Sequence, residues 1–261
     1  MSIDVDPDWW KELFDETYLL TDARSVCDDR ITRREVDVLC RLLPIRKGQQ
    51  LLDVCCGHGR HTLELYRRGY RLCTLLDYSA VLIQHAKRNA ARLGCELQYV
   101  RADARQVGLA SESFDHVFIM GNSLGYITDP GADRKILAEA YRLLAPGGWF
   151  LADVTNREAV KASVNPVHWH EIGEDTVICR ERELQNDTIS AREMVISKTK
   201  GLIRDKSYAI RLYNAPAMID LLERVGFTSI DIHTRFDPHG AKGDYGCMNN
   251  RMLAVGRKER R

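Results

Sequence analysis

The chain has 261 residues, 44% of them hydrophobic and 29% charged, and its 38 Lys and Arg nearly cancel its 37 Asp and Glu. That composition is globular rather than disordered or fibrous, and it lacks the uncompensated basic charge that drives nucleic-acid binding. No apolar run approaches the roughly 20 residues that span a bilayer, and the acidic start MSIDVDPDWW carries no basic-then-apolar leader, so a cytoplasmic protein away from membranes is expected.

The predicted elements begin with two N-terminal helices. Apolar residues recur at helical spacing through Trp9, Trp10, Leu13 and Phe14, and again through Val36, Leu39, Cys40, Leu42 and Leu43, with Pro44 and Gly48 ending the second. The run Gln50 to Val54 then reads as a strand, Cys55-Cys56-Gly57-His58-Gly59 as a turn, and His61 to Arg68 as a helix. The rhythm continues with a strand at 71–76, a helix at 79–93, strands at 96–100 and 114–120, a helix at 132–144 and a strand at 149–153. Strands alternating with helices imply βαβ units and a parallel sheet with right-handed crossovers. From Trp169 to Tyr213 the pattern changes to extended runs separated by Asn186-Asp187 and Lys200-Gly201, an antiparallel insertion. A helix at 217–225 stopped by Gly226, a strand near 227–233 and a last strand near 250–255 complete the alternation, and the basic end 257–261 reads as a solvated tail. The expected division is 1–48 as helical cap, 49–160 as core, 161–213 as insertion and 214–261 as the return to the core. The eight cysteines form no CxxC pair, which favours buried thiols in a reducing compartment over disulfides or a zinc site.

A glycine turn between a strand and a helix N-terminus lets backbone N–H groups approach a ligand where the helix dipole is positive. Thr62 stands where a dinucleotide fingerprint wants its third glycine, which disfavours a nicotinamide cofactor. Asp77, at the end of the second strand, is suited to accept from ribose hydroxyls, which nicotinamide cofactors and S-adenosylmethionine share.

The whole series narrows the choice. Leu51 to Gly59, Leu76-Asp77, Arg101-Ala102-Asp103-Ala104, Phe114-Asp115-His116-Val117 and Leu143 to Gly148 occur in an order and spacing that resembles the class I S-adenosylmethionine-dependent methyltransferases over about residues 30–155. The resemblance implies an α/β, Rossmann-like doubly wound seven-stranded sheet with its last strand antiparallel. The N-terminal helices and an antiparallel β insertion after the fifth strand would be added to it. It also implies roles. Asp53 would order the turn, and Gly57 and Gly59 would let the backbone pass close to the cofactor. Asp77 would bind the ribose, Tyr78 would pack on the adenine, Asp103 would accept from the adenine amine beside the Ala104 N–H, and Met120 would lie beside the sulfonium. Cys55 replaces the family's first glycine, which suggests a backbone angle there that tolerates a side chain; its carbonyl is the family's holder of the methionine ammonium. Apart from the resemblance, His58 and His61 flank Arg60 at the helix start, where cofactor contact or capping is preferred to metal binding for want of further ligands.

The sequence Cys55 to His61, with Tyr18 to Asp22, Asn122 to Tyr126 and Arg211 to Tyr213, looks like the subgroup that methylates small molecules. Methyl transfer is an in-line displacement that chiefly needs alignment and exclusion of water; an ammonium or hydroxyl acceptor also needs a proton acceptor. Tyr126, just past the fourth strand, Tyr18, near the first helix, and His168, which brackets Trp169 with His170, are the catalytic candidates, each with packing as its alternative. Arg211 and Tyr213, two apart, could hold an anionic substrate. Asn122-Ser123-Leu124-Gly125 lacks the two prolines of base-modifying amino-methyltransferases. A small-molecule acceptor is therefore the first reading, with an RNA or protein methyltransferase, a nicotinamide oxidoreductase and a non-catalytic cofactor-binding module as alternatives. Exposed edge strands in the insertion would suit a homodimer.

Overall fold

The structure is a computed structural model that describes residues 2–22, 26–240, 249 and 251–260. A single 3₁₀ turn at Trp9–Lys11 takes the place of the first expected helix. The helix proper is α1 (Glu16–Thr21), because Asp15 accepts from the Tyr18 N–H and caps it there. Asp28 likewise caps α2 (Asp29–Leu42), which starts a full two turns earlier than its apolar spacing alone indicates.

The core alternates β1 (Leu51–Val54), α3 (Arg60–Arg67), β2 (Cys73–Asp77), α4 (Ala80–Arg92), β3 (Gln98–Arg101), β4 (Phe114–Ile119), α5 (Ala132–Leu143) and β5 (Leu144–Thr155). A short helix, α6 (Arg157–Ser163), follows, then the insertion strands β6 (Val167–Ile172), β7 (Thr176–Gln185), β8 (Thr188–Ser197) and β9 (Gly201–Arg211). The chain returns through α7 (Ala215–Val225), β10 (Thr228–Phe236) and β11 (Arg251–Arg257). Asn250, the expected first residue of the last strand, and Cys247 lie outside the described residues. The sheet order is β10-β11-β5-β4-β1-β2-β3. Strands β1 to β5 pair in parallel, and β11 runs antiparallel to both β5 and β10.

Period-two alternation divides the sheet's side chains between two faces. Leu52, Val117, Phe150 and Ala254 pack with Leu137 of α5 and Leu222 of α7. Leu51, Phe118, Leu151 and Leu253 pack with Val36 and Leu39 of α2 and Leu65 of α3. The second N-terminal helix is therefore part of the core. The chain leaves β1 toward β2 on one side and, through β3, returns to β4 on the other, so a crevice opens at the carboxyl ends of these strands.

The insertion forms its own four-stranded sheet, ordered β6-β7-β8-β9, with left-handed turn residues Asn186 (φ 54°) and Gly201 (φ 81°). Its inner face buries Ile178, Ile189, Ala191 and Val195, and its outer face leaves Val167 and Trp169 exposed. The expected solvated tail begins differently: Lys258 is buried, and its ammonium donates to the carbonyls of Tyr141 and Leu144. Among the described residues no helix is long and apolar enough to cross a membrane.

Candidate active site

The crevice is a cleft of about 760 Å³, open to solvent and walled by Trp10, Cys55, Gly57, Asp77, Tyr78, Leu82, Asp103, Ala104, Ile127 and Ile136 among others. Its polar floor is made mostly by backbone. The Gly57 N–H donates to Asp77 Oδ2 (2.7 Å) and the Ser79 N–H to Asp77 Oδ1 (2.8 Å), so the carboxylate is aimed by the two turns it joins. Burial pushes the Asp77 carboxyl above its ordinary range, and those N–H donors oppose it. At Gly57 (φ 57°) a Cβ would come no nearer than 3.9 Å to Leu82, so the turn leaves room where a ligand can approach.

Cys55 departs from its expectation. Its φ is +56°, the left-handed region that glycine adopts freely and other residues adopt at a cost of about 1 kcal/mol. The turn thus keeps the glycine geometry with a side chain in place; Cys55 is half-buried at the cleft wall, and desolvation raises its thiol well above the ordinary pKa. Asp53 does not reach the cleft. It is buried, accepts from the Thr62 hydroxyl (2.7 Å), and burial lifts its carboxyl to about 7. Thr62, conspicuous in the sequence as a missing glycine, is therefore the residue that pins Asp53 to the start of α3.

The other predicted residues separate in space. Tyr78 lies edge-on to Trp10 with ring centres 4.8 Å apart. Asp103 is clasped by Arg105 at 2.6 to 3.1 Å; partial burial alone would raise its carboxyl, but the guanidinium holds it below its ordinary range. Gly59 caps α3 and packs where a Cβ would collide with Leu75 at 2.7 Å. Met120 sits in the core with Phe118 and Leu151, and it is its neighbour Gly121 that faces the cleft. His58 borders a separate depression with Cys27 and Arg67, its imidazole lowered to about 4 by burial first and by Arg60 second.

A second cavity, about 790 Å³ and also open, adjoins the first. It is walled by Trp9, Leu13 and Phe14 from the N-terminal segment and by Arg180, Arg182, Ala191, Glu193, Arg204 and Tyr208 from the inner face of the insertion sheet. Phe14, Tyr18, Gly121 and Tyr126 border both spaces. Tyr126 stacks on Phe14 (5.6 Å, 15°) and touches Trp9 (5.4 Å). Tyr18 is held protonated: burial raises its phenol far above the ordinary value, and the nearby Asp22 and Asp77 add to that. It is thus a hydrogen-bond donor rather than a ready base. His168 lies on the edge strand β6, its ring 5.5 Å from that of His170, and lines neither cavity.

The second cavity's wall is held by charge. Glu193 accepts from Arg180 on one oxygen (2.7 Å to Nε) and from Arg204 on the other. Arg180 reaches on to Asp22 (3.0 Å), and Arg204 to Asp15 (3.0 Å) and the Leu13 carbonyl. Burial works to protonate Glu193, but the two guanidiniums overrule it and hold the carboxyl below its ordinary range. These bonds fasten the N-terminal segment to the insertion. The Ser79 hydroxyl, donating to the Phe14 carbonyl (2.6 Å), and His85, bonded to Glu16 (2.6 Å), fasten it to the core. Arg211 and Tyr213 both engage Asp133 instead of a cavity, tying β9 to the start of α5. The sequence reading missed Trp10, Phe14, Arg180, Glu193 and Arg204. The available signal was charge at period two on strands whose other inward residues are apolar.

Residues 51–148 match the family described as Methyltransferase domain. The chain is 28% identical over 133 residues to the glycine/sarcosine N-methyltransferase of Halorhodospira halochloris, covering 51% of this chain and 49% of that one. It is 30% identical over 133 residues to the ubiquinone/menaquinone biosynthesis C-methyltransferase of Ruegeria, covering half of each. The chain spans about half the length, or less, of the curated relatives it matches. Among solved structures, the CcbJ methyltransferase of Streptomyces caelestis superposes with a TM-score of 0.76 at 18% identity, covering 97% of this chain and 99% of that one. The sugar N-methyltransferase KedS8 of Streptoalloteichus superposes at 0.70 and 19% identity, covering 99% of this chain and 97% of that one. At that identity the likeness is one of fold, and it extends through the insertion sheet.

Proposed function

From a methyltransferase domain at residues 51–148, set in the class I methyltransferase fold, we propose that this chain is an S-adenosylmethionine-dependent methyltransferase acting on N or O of a small molecule. The observation that carries the reading is the pair of adjoining cavities that share Phe14, Tyr18, Gly121 and Tyr126. One combines apolar walls with the Asp77 carboxylate, which suits a nucleoside; the other is a concave space between the N-terminal segment and the inner face of the insertion sheet, which suits a small molecule.

The residues of the cleft fit the cofactor. Asp77 offers carboxylate oxygens at the mouth of β2, where ribose hydroxyls would donate. Trp10, Tyr78, Leu82 and Ile136 supply apolar walls for a purine, with Asp103 at its edge. S-adenosylmethionine, when bound, supplies an electrophilic methyl group on a sulfonium. The chain's own contribution is then alignment and desolvation. Phe14 and Tyr126 stack at the border of the two cavities, and aromatic faces there favour a cation. Tyr18, kept protonated by burial, offers its hydroxyl as a donor to a bound ligand, and Tyr126 is our candidate to orient the acceptor. His168 lines neither cavity and has no part in this arrangement. The seven described cysteines are all free thiols, which suits the cytoplasm.

Calorimetric titration with S-adenosylhomocysteine tests the reading. Micromolar binding is expected, falling by about 100-fold in Asp77→Ala through loss of charged hydrogen bonds, with no response to NADH. Absence of binding to the wild type, or equal binding of NADH, would sink it. Turnover on a panel of amines, hydroxy acids and phenols then separates an enzyme from a silent binding module.

A further inference from the structure

The two cavities differ in charge. Asp77 and Asp103 line the cleft at the strand ends, with no cation beside them. The second cavity is lined by Arg180, Arg182 and Arg204 against Glu193 and Asp22, one more cation than anion. Glu193 is shared by Arg180 and Arg204, and Asp22 is taken by Arg180 (3.0 Å). Asp15, which also meets Arg204, stands outside the cavity with its side chain 42% exposed, where water screens it.

The same wall holds two unanswered donors. Trp9 is 6% exposed and Arg204 8%, and neither the indole Nε1 nor the guanidinium Nε has an acceptor among the described residues. The other nitrogens of Arg204 are spent on Glu193, Asp15 and the Leu13 carbonyl. Trp10 Nε1 is unpaired as well, but Trp10 lines the other cleft. Buried N–H groups are paired in the great majority of cases, so two unpaired ones on a wall with surplus positive charge point to a ligand that brings oxygens.

Resting on the methyltransferase reading, we propose that the methyl acceptor is a small carboxylic acid whose carboxylate is anchored in the second cavity by the N–H groups of Trp9 and Arg204. A surplus of one charge matches a monoanion. An ammonium would meet three guanidiniums there, with both oxygens of Glu193 already occupied. The rings of Tyr126 and Tyr208, 5.4 and 5.7 Å from that of Trp9, offer apolar faces to the body of such an acid. Tyr126 also borders the cofactor cleft, so an acid held at Trp9 extends toward the junction. A carboxylate bound in this way is an anchor, which leaves an N or O elsewhere in the molecule as the acceptor atom.

The test uses benzoate, benzamide and benzylamine as probes, titrated by calorimetry at pH 7 with and without S-adenosylhomocysteine. Benzoate is expected to bind the wild type about 10-fold more tightly than either of the others. Trp9→Phe keeps a ring and removes its N–H, and Arg204→Lys keeps the charge and removes Nε. Each is expected to cut the advantage of benzoate over benzamide by about 3- to 10-fold. No benzoate binding, equal binding of the three probes, or tighter binding of benzylamine would overturn the proposal. So would a Trp9→Phe protein that keeps the full advantage, or one that weakens all three probes alike, as a merely structural role would. Should Arg204→Lys fail to fold, Trp9→Phe decides alone. Binding of benzoate without binding of S-adenosylhomocysteine would sink the methyltransferase reading and leave a carboxylate site; the reverse would sink the carboxylate site alone.

Discussion

The two cavities are built by opposite means. The cleft at the strand ends is made of backbone: two N–H groups aim Asp77, and a glycine turn in left-handed geometry leaves the space open. The cavity under the insertion is made of side chains from the N-terminal segment and three strands, locked by two arginines on one glutamate. A backbone site tolerates change in its walls but is the same from one acceptor to another. A side-chain site can be recut for a new acceptor, and its cost is that buried charges must stay paired.

That contrast can be broken most forcefully at Glu193. Replacement by Ala leaves Arg180 and Arg204 buried without their shared partner, and a loss of about 3–5 kcal/mol in urea denaturation is expected, with the affinity for S-adenosylhomocysteine kept by the molecules that remain folded. A variant as stable as wild type would show that charge does not hold this wall.

The seam between the two regions is sharper. Gly125 (φ +97°) accepts from the Arg211 N–H (2.8 Å) and donates to Asp133, and a Cβ there would fall 2.4 Å from the Arg211 carbonyl. Gly125→Ala is expected to cost about 1–3 kcal/mol and, by shifting the adjacent Tyr126, to raise the KM for the acceptor more than that for the cofactor. Steady-state kinetics in both substrates would read the split.

The smallest effect is a slope. Burial lowers the His61 imidazole from 6.5 to about 4, so the folded state holds it neutral. Its contribution is fully present above pH 6.5 and is lost as the pH falls from there through about 4. His61→Gln, neutral throughout, should flatten the pH dependence of unfolding in that window by about 1.4 kcal/mol per pH unit. An unchanged slope would mean that His61 is charged in the folded protein. The buried Asp53, raised to about 7, acts in the opposite sense and is common to both proteins in the comparison.

Much of the cleft was legible because its parts are local. Gly57 and Gly59 follow a strand, Asp77 ends the next one, and Asp103 follows the third, so position along the chain is position at the sheet edge. Capping was legible only in part: Asp15 and Asp28 set the starts of α1 and α2, and periodicity alone mislocated both. Met120 was read one residue away from Gly121 because strand alternation decides which of two neighbours turns inward, and the register of β4 is set by its partners β1 and β5. Arg211 and Tyr213 do share a face, as their spacing required, but the face meets Asp133 instead of a ligand.

By itself, then, the sequence determined the alternation of strands and helices, the glycine turn and the acids at the strand ends, since each depends on residues within a few positions of one another. Only the tertiary structure decided which residues close the second cavity and that Glu193 joins arginines 13 and 11 residues away to the N-terminal segment. Those contacts join segments far apart in the chain, and no local preference specifies which distant partner a buried charge will meet.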